Sequence, residues 1–254
     1  MKKNLLALAF LVGLLTCCKS EDAPIKPVKP TDPGSINKEY MSRAETTFAN
    51  IFKYYWSDKV RMMFGSYPNT LGTPQEPSSP DYDSHAYLWG LGSVVSAFNA
   101  IVQNTDNVDF RMTYESRLKE TLLKYYNTTK EPMCFGCFVN PHDQRLYDDA
   151  IWVGIDLADL YSKTKDSWYL DYAKSVWNFV LSGKDDELGG GVYWDENAKD
   201  SKNTCSNAPA VVLALKLYQI TNDAAYLENG KDIYKWTKSV SYTHLRAHET
   251  SAHL

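Results

Sequence analysis

Ala158-Asp-Leu-Tyr-Ser-Lys-Thr164-Lys-Asp166-Ser-Trp-Tyr169-Leu-Asp-Tyr-Ala-Lys174 and Leu215-Lys-Leu-Tyr-Gln-Ile-Thr221-Asn-Asp223-Ala-Ala-Tyr226-Leu-Glu-Asn-Gly-Lys231 are one pattern written twice, 57 residues apart. Leu160/Leu217, Tyr161/Tyr218, Thr164/Thr221, Asp166/Asp223, Tyr169/Tyr226 and Leu170/Leu227 coincide. An internal repeat of this kind marks a supersecondary unit, here a helix, a Thr-x-Asp turn and a second helix opening on Tyr-Leu. The first helix (Ala150 to Tyr161, Ala208 to Tyr218) is apolar nearly all round, and the second (Trp168 to Leu181) is amphipathic. A helix apolar on every side must be enclosed, whereas an amphipathic one faces water, so the repeat predicts inner and outer helices of a closed ring. The expected fold is all-α, an (α/α)6 toroid of helical hairpins. About three and a half hairpins can be counted, so about half the ring is expected.

Upstream, Tyr40, Ala44, Phe48, Ile51, Phe52 and Tyr55 form the stripe of a helix from about Asn37 to Trp56. A second helix is expected after Ser84, capped by Asp83 or Ser84, with Tyr87, Leu88, Leu91, Val94, Val95, Phe98, Ile101 and Val102 at spacings of three and four. Gly90 and Gly92 interrupt it; each costs about 1 kcal/mol against alanine, which predicts close approach of a neighbouring backbone or a ligand. No alternating strand is evident. The proline- and glycine-rich stretch from Asp58 to Asp83 is too long for mere connection and is expected to form a cleft rim.

Residues 1–18 read as an export signal: Lys2 and Lys3, an apolar run from Leu5 to Leu15, then Thr16-Cys17-Cys18. The run is too short to span a bilayer, and Leu15-Thr16-Cys17-Cys18 resembles a bacterial lipoprotein box, with Cys18 as the acylated residue, Cys17 as runner-up and ordinary secretion as the alternative. Lys19-Ser20-Glu21-Asp22 resembles the acidic signal that sends Bacteroidetes lipoproteins to the cell surface, and Pro24, Pro27, Pro30 and Pro33 stiffen a tether over residues 19–36. The expected location is the cell surface or outer membrane, lipid-anchored, with the periplasm as alternative. Residues 37–240 are then the folded domain, a partial ring. His244 and His248 stand four apart like helical metal ligands, but residues 241–254 lack apolar periodicity and an acidic partner. That segment resembles translated adapter sequence and is expected to be non-native, so no metal is assigned.

The 254 residues carry 27 Lys and Arg against 31 Asp and Glu, a net charge of −4, and loss of Lys2 and Lys3 with a leader makes the rest more acidic. Nucleic acid is therefore excluded as a partner. An aromatic share of 13% with modest acidity suits stacking on neutral, hydroxyl-rich ligands, once the core has taken its rings.

Arg145-Leu-Tyr-Asp148-Asp149-Ala-Ile-Trp152 puts two carboxylates where an inner helix begins, and the free N–H groups there favour negative charge. One aspartate would serve as a cap. The other has no such purpose, because the neighbouring repeat has Cys205 and Ser206 at the same positions. Carboxylates about 5 Å apart repel by roughly 3 kcal/mol at an effective dielectric near 20, so they titrate about two pH units apart. An unequal pair about 5 to 5.5 Å apart is what a retaining glycosidase needs as nucleophile and acid/base. Capping and solvation remain the alternative on the pair alone.

Four motifs in order decide further: Tyr147-Asp148-Asp149-Ala150-Ile151-Trp152, Tyr169-Leu170-Asp171-Tyr172-Ala173, Gly189-Gly190-Gly191-Val192-Tyr193-Trp194 and Lys202-Asn203-Thr204-Cys205-Ser206-Asn207. Together they resemble glycoside hydrolase family 76, the endo-acting α-1,6-mannanases, over roughly Tyr87 to Lys238. The resemblance implies an (α/α)6 toroid, hydrolysis of α-mannan through a covalent mannosyl-enzyme, Asp148 as nucleophile, Asp149 as acid/base, and no cofactor. It implies that Trp152, Tyr193, Trp194 and Asn207 shape the cleft, and Trp89 is a further candidate for its wall. His85, just before the second helix, is either a hydrogen-bonded loop residue or a group reaching the cleft. Ile151-Trp152, Val192-Tyr193 and Cys205-Ser206 depart from the family pattern and bear on fine specificity.

Cys134-Phe-Gly-Cys137 has no second pair for zinc and no βαβ context, leaving a local disulfide or two inert thiols. A transglycosidase or other toroid glycosidase stays open, as does a non-catalytic glycan-binding lipoprotein.

Overall fold

The computed structural model describes residues 33–68, 85–139 and 144–251. Cys18 and the leader, Asp83, Ser84 and most of the expected rim loop lie outside them. The chain divides into two compact units, Met1–Glu39, whose described residues are the first turns of a helix, and Tyr40–Leu254.

Seven helices make up most of the described residues: α1 (Pro33–Tyr55), α2 (Leu88–Asn104), α3 (Val108–Tyr125), α4 (Tyr147–Thr164), α5 (Ser167–Ser182), α6 (Thr204–Thr221) and α7 (Ala224–Ser251). The helical backbone of α7 runs through the segment expected to be foreign. The repeat is reproduced nearly atom for atom at its turns. α4 ends on Lys165 (φ 61°) and α6 on Asn222 (φ 56°), both left-handed, each N–H bonding back to the carbonyl of Tyr161 or Tyr218 at 2.8 Å. The hydroxyls of Thr164 and Thr221 accept from the N–H of Asp166 and Asp223 at 3.3 Å. Those aspartates then cap the next helix, accepting from Trp168 N at 3.0 Å and Ala225 N at 2.9 Å.

α4 lies between α2 and α6, with α5 behind α4 and α7 behind α6. Inner helices therefore line one side and outer helices back them, an arc of an α/α toroid. The outer helix α5 buries Tyr169, Ala173, Val176, Trp177 and Val180 along a single stripe. Where α4, α5 and α6 meet, a Cβ on Gly154 would stand 2.9 Å from Val176 and 3.1 Å from Leu213, so the contact requires glycine. Of the two alternatives expected at Gly90 and Gly92, close approach of a backbone is not there: an added Cβ would meet only side chains, Ala86 at 3.9 Å and Val153 at 3.7 Å, and both glycines border cavities.

α4 departs from the expectation of an all-round apolar inner helix. Ala150, Ile151, Val153, Leu157, Ala158 and Leu160 are buried, but Asp149, Trp152, Asp156 and Asp159 form a strip at helical spacing. Asp156 accepts from Ser96 and, at 2.8 Å, from Asn99 of α2, while Asp159 pairs with Lys216 of α6 at 2.5 Å. Polar bonds thus tie three inner helices together. Two short antiparallel pairs, β1 (Trp56–Ser57) with β2 (Met62–Met63) and β3 (Tyr126–Asn127) with β4 (Cys134–Phe135), were not expected, because two residues are too few to show alternation. A bridge from Phe64 to His85 and the Ala86 N to Met63 O bond (2.9 Å) hold residues 85–87 extended, so α2 starts at Leu88 with Tyr87 as an uncapped N-cap. No helix among the described residues is long and apolar enough to cross a membrane.

Candidate active site

The start of α4 is fixed by the segment that follows the glycine turn. Leu146 pairs with Asp195 in an antiparallel bridge, Tyr147 N donates to Trp194 O at 3.0 Å, and Glu196 N donates to Arg145 O at 3.2 Å. Arg145, 0% exposed, anchors this zipper. Its guanidinium binds both oxygens of Glu196, with Nε to Oε2 at 2.8 Å, donates to Pro132 O at 2.7 Å and lies over the Phe179 ring. Lys130 adds a second cation to Glu196 at 2.9 Å. Burial pushes the Glu196 carboxyl up, but the hydrogen bonds from Arg145 and Lys130 outweigh it and hold the group below its ordinary range.

The N-cap of α4 is Leu146, so neither aspartate is the cap; both stand inside the first turn. Asp148 Oδ1 accepts from Asp149 N at 3.0 Å, and its Oδ2 accepts from the Trp194 indole at 3.0 Å. Asp149 has a different environment. Burial first, and the charge of Asp148 second, push its carboxyl up to about 6, against a hydrogen bond from the Cys137 thiol that lowers it. It opens on a cavity of about 300 Å3 lined by Trp89, Gly92, Ser93 and Ser96 of α2 and by Trp152 of α4. Trp89 and Trp152 are 57% and 42% exposed, which is unusual for indoles and leaves their faces free to stack.

The other expected site residues separate into two groups. Trp194 joins Asp148 through its indole. Tyr193 and Asn207 are 2% and 0% exposed, so they build the wall from behind and do not face an open cleft in this chain. Asn207 accepts from Val192 N at 2.7 Å and donates to Val192 O at 2.8 Å, clamping the strand-like segment that carries Trp194. Tyr193 lies under the ammonium of Lys202 at 4.4 Å, which donates to Asp185 Oδ1 (2.6 Å) and the carbonyls of Asp185 (3.0 Å) and Glu187 (2.7 Å). His85 stacks on Phe64 and is not part of the lining of the Asp149 cavity.

Ser93 and Ser96 did not emerge from the sequence, although they fall four and seven residues after Trp89 on one helical face. Cys134 and Cys137 are free buried thiols, each pushed up to about 12 by burial, and Cys205 is a free exposed one. Among the described residues no group of three His, Cys, Asp or Glu could hold a metal.

The family model "Glycosyl hydrolase family 76" matches residues 39–251. A family 76 glycoside hydrolase from a bovine Bacteroides thetaiotaomicron strain is 29% identical, with 79% of this chain and 42% of that one covered, at a TM-score of 0.67. A family 76 mannosidase of Bacteroides thetaiotaomicron is 25% identical over 78% of this chain and 53% of its own, also at 0.67. The mannan endo-1,6-alpha-mannosidase of Saccharomyces cerevisiae is 27% identical over 193 residues, 69% of this chain and 37% of the yeast protein. The chain thus spans about half or less of the lengths of these relatives.

Proposed function

This chain belongs to glycosyl hydrolase family 76, and from that membership we propose that the full-length protein hydrolyses internal α-1,6-mannosidic bonds of mannan with retention at the anomeric carbon. The observation that carries the reading is the raised, partly buried Asp149 carboxyl opening on a cavity walled by indoles, next in the chain to an Asp148 carboxyl held by two hydrogen bonds. Asp148, hydrogen-bonded by Asp149 N and Trp194, is held in one orientation, as a nucleophile must be. Asp149, raised to about 6, retains its proton far longer than an ordinary aspartate and can deliver it to the departing sugar oxygen. The same group, once ionised, takes a proton from the water that releases the mannosyl-enzyme. Trp89 and Trp152 offer stacking faces, and the Ser93 and Ser96 hydroxyl oxygens, whose protons go to Trp89 O and Asp156, can accept from a pyranose in the cavity. The yeast relative's name supplies the linkage.

Asp148→Asn and Asp149→Asn in the full-length protein test this: release of reducing ends from α-1,6-mannan is expected to vanish while mannan binding persists. Turnover retained in either variant overturns the assignment. Export and lipid attachment through Cys18 belong to the same proposal, with residues 19–36 as tether and the cell surface as location. Incorporation of labelled fatty acid that disappears on Cys18→Ser supports them, and unlabelled protein overturns them.

A further inference from the structure

The turn that delivers Trp194 to Asp148 has a backbone that few sequences adopt. Leu188, Gly189, Gly190 and Gly191 are four consecutive residues at positive φ, 56°, 78°, 116° and 78°. Glycine takes such angles freely but gains nothing from keeping them, and Leu188 is strained there. The turn's own bonds, Gly189 N to Asp186 O (3.1 Å) and Gly190 N to Glu187 O (3.3 Å), reach no further than Gly190. A conformation of this kind persists only where its surroundings impose it.

The imposing group comes from α7. The Trp236 indole donates from Nε1 to Leu188 O at 3.0 Å, across 48 residues, and its ring lies along the glycines. A Cβ on Gly190 would stand 3.3 Å from Trp236 Cδ1, and one on Gly191 only 2.5 Å from Cε3, so Gly191 has no room for a side chain beneath the ring. The same helix takes hold ahead of the turn, where Lys184 donates to Asn229 Oδ1 at 3.1 Å and pairs with Asp232 at 3.6 Å. Lys202 and Asn207 grip the chain on either side of the glycines, at 185–187 and at Val192, and Trp236 grips it between them.

From the turn to the carboxylate the path is short. Lys184 and Val192 form a bridge, Tyr193 N donates to Gly183 O at 3.1 Å, and two residues after Val192 the Trp194 indole reaches Asp148 Oδ2. We propose that Trp236 is a positioning residue for the reaction assigned above: it sets the 188–191 turn, and through that turn it fixes the Trp194 indole on Asp148. The inference rests on the reading of Asp148 as the nucleophile. Trp236 is 8% exposed and lies outside the lining of the Asp149 cavity, so it touches no sugar there. Its removal should therefore act on the orientation of the attacking group, and so on kcat, more than on KM.

The test reads the Trp194 indole N–H by 15N NMR in the full-length protein without mannan, the signal being identified by its loss in Trp194→Phe. Trp236→Phe keeps a ring but removes the bond to Leu188 O and the part of the ring over Gly191. It is expected to move the Trp194 signal toward its position in Asp148→Asn, and Trp236→Leu to move it further. On mannan, Trp236→Phe should lower kcat about tenfold with KM changed less than about twofold. Trp177→Phe is the control for packing alone: Trp177 of α5 is 3% exposed and packs on Tyr226 of α7 at 5.8 Å between centroids, away from the turn. That variant should lose stability yet leave the Trp194 signal in place. A Trp194 signal unmoved by Trp236→Phe overturns the proposal, whether or not the leucine variant folds, as does an equal displacement in Trp177→Phe. Failure of the hydrolase reading appears instead in the turnover of the aspartate variants, so the two are separable.

Discussion

The first turns of α4 and α6 occupy equivalent places in the repeat and have been put to different uses. Both helices start from an extended residue that offers no side-chain cap, Leu146 and Asn203. At α4 the next positions hold Asp148 and Asp149, opening on a cavity; at α6 they hold Cys205 and Ser206, followed by the buried clamp Asn207. Since the hairpin forms equally well with uncharged residues, the acids are not there for the fold. Burial raises Asp149 and therefore works against folding at neutral pH, a cost that packing does not explain and that the proposed acid/base role would.

Exchange of function is the largest effect expected from breaking this contrast. Asp148→Asn in the full-length protein should lower turnover on mannan by at least ~10^3-fold, read as reducing-end release. By comparison, Cys205→Asp combined with Ser206→Asp should create no second active turn, because α6 lacks the Arg145–Glu196 zipper.

Next comes the zipper itself. Glu196→Ala leaves the Arg145 guanidinium buried beside Phe179 without its carboxylate, which should cost about 3–5 kcal/mol in denaturant unfolding. Asn207→Ala, the corresponding lesion at α6, unpairs both backbone groups of Val192 and should cost about 2–3 kcal/mol. It should also loosen Trp194, visible in its fluorescence.

The smallest effect has the opposite sign. A carboxyl whose folded-state midpoint lies near 6, against an ordinary value near 4, binds its proton more tightly in the native state than in the unfolded chain. Wild-type stability therefore falls as pH rises from about 4 to about 6 and then levels off. Asp149→Asn lacks this penalty and should be more stable than wild type above pH 6, by on the order of 1–2 kcal/mol, with the advantage gone near pH 4. Melting curves across that range would check it.

The ring and the acid pair were legible because both are written locally. Thr164-x-Asp166 and Thr221-x-Asp223 make their capping bonds within two residues, so the turn is visible in the sequence and recurs in the structure. What holds the site was not legible, because its partners are distant: Arg145 meets Glu196 across 51 residues, and Asn207 meets Val192 across 15. Trp and Tyr also look alike as candidate stacking residues. Only packing separates Trp89 and Trp152, which open on the cavity, from Tyr193, which is sealed under Lys202. Gly154, the glycine that three helices require, sits in a run whose apolar character hides it, whereas Gly90 and Gly92 drew notice by being close together.

The most direct measurement of the central claim is to trap the full-length protein with a fluorinated α-mannosyl donor that forms the glycosyl-enzyme but turns over slowly, and to map the modified peptide by mass spectrometry. A mannosyl ester on Asp148, formed in wild type and absent in Asp148→Asn, is the expected result. A label on any other residue, or catalytic release of mannose with inverted configuration and no ester, would contradict it.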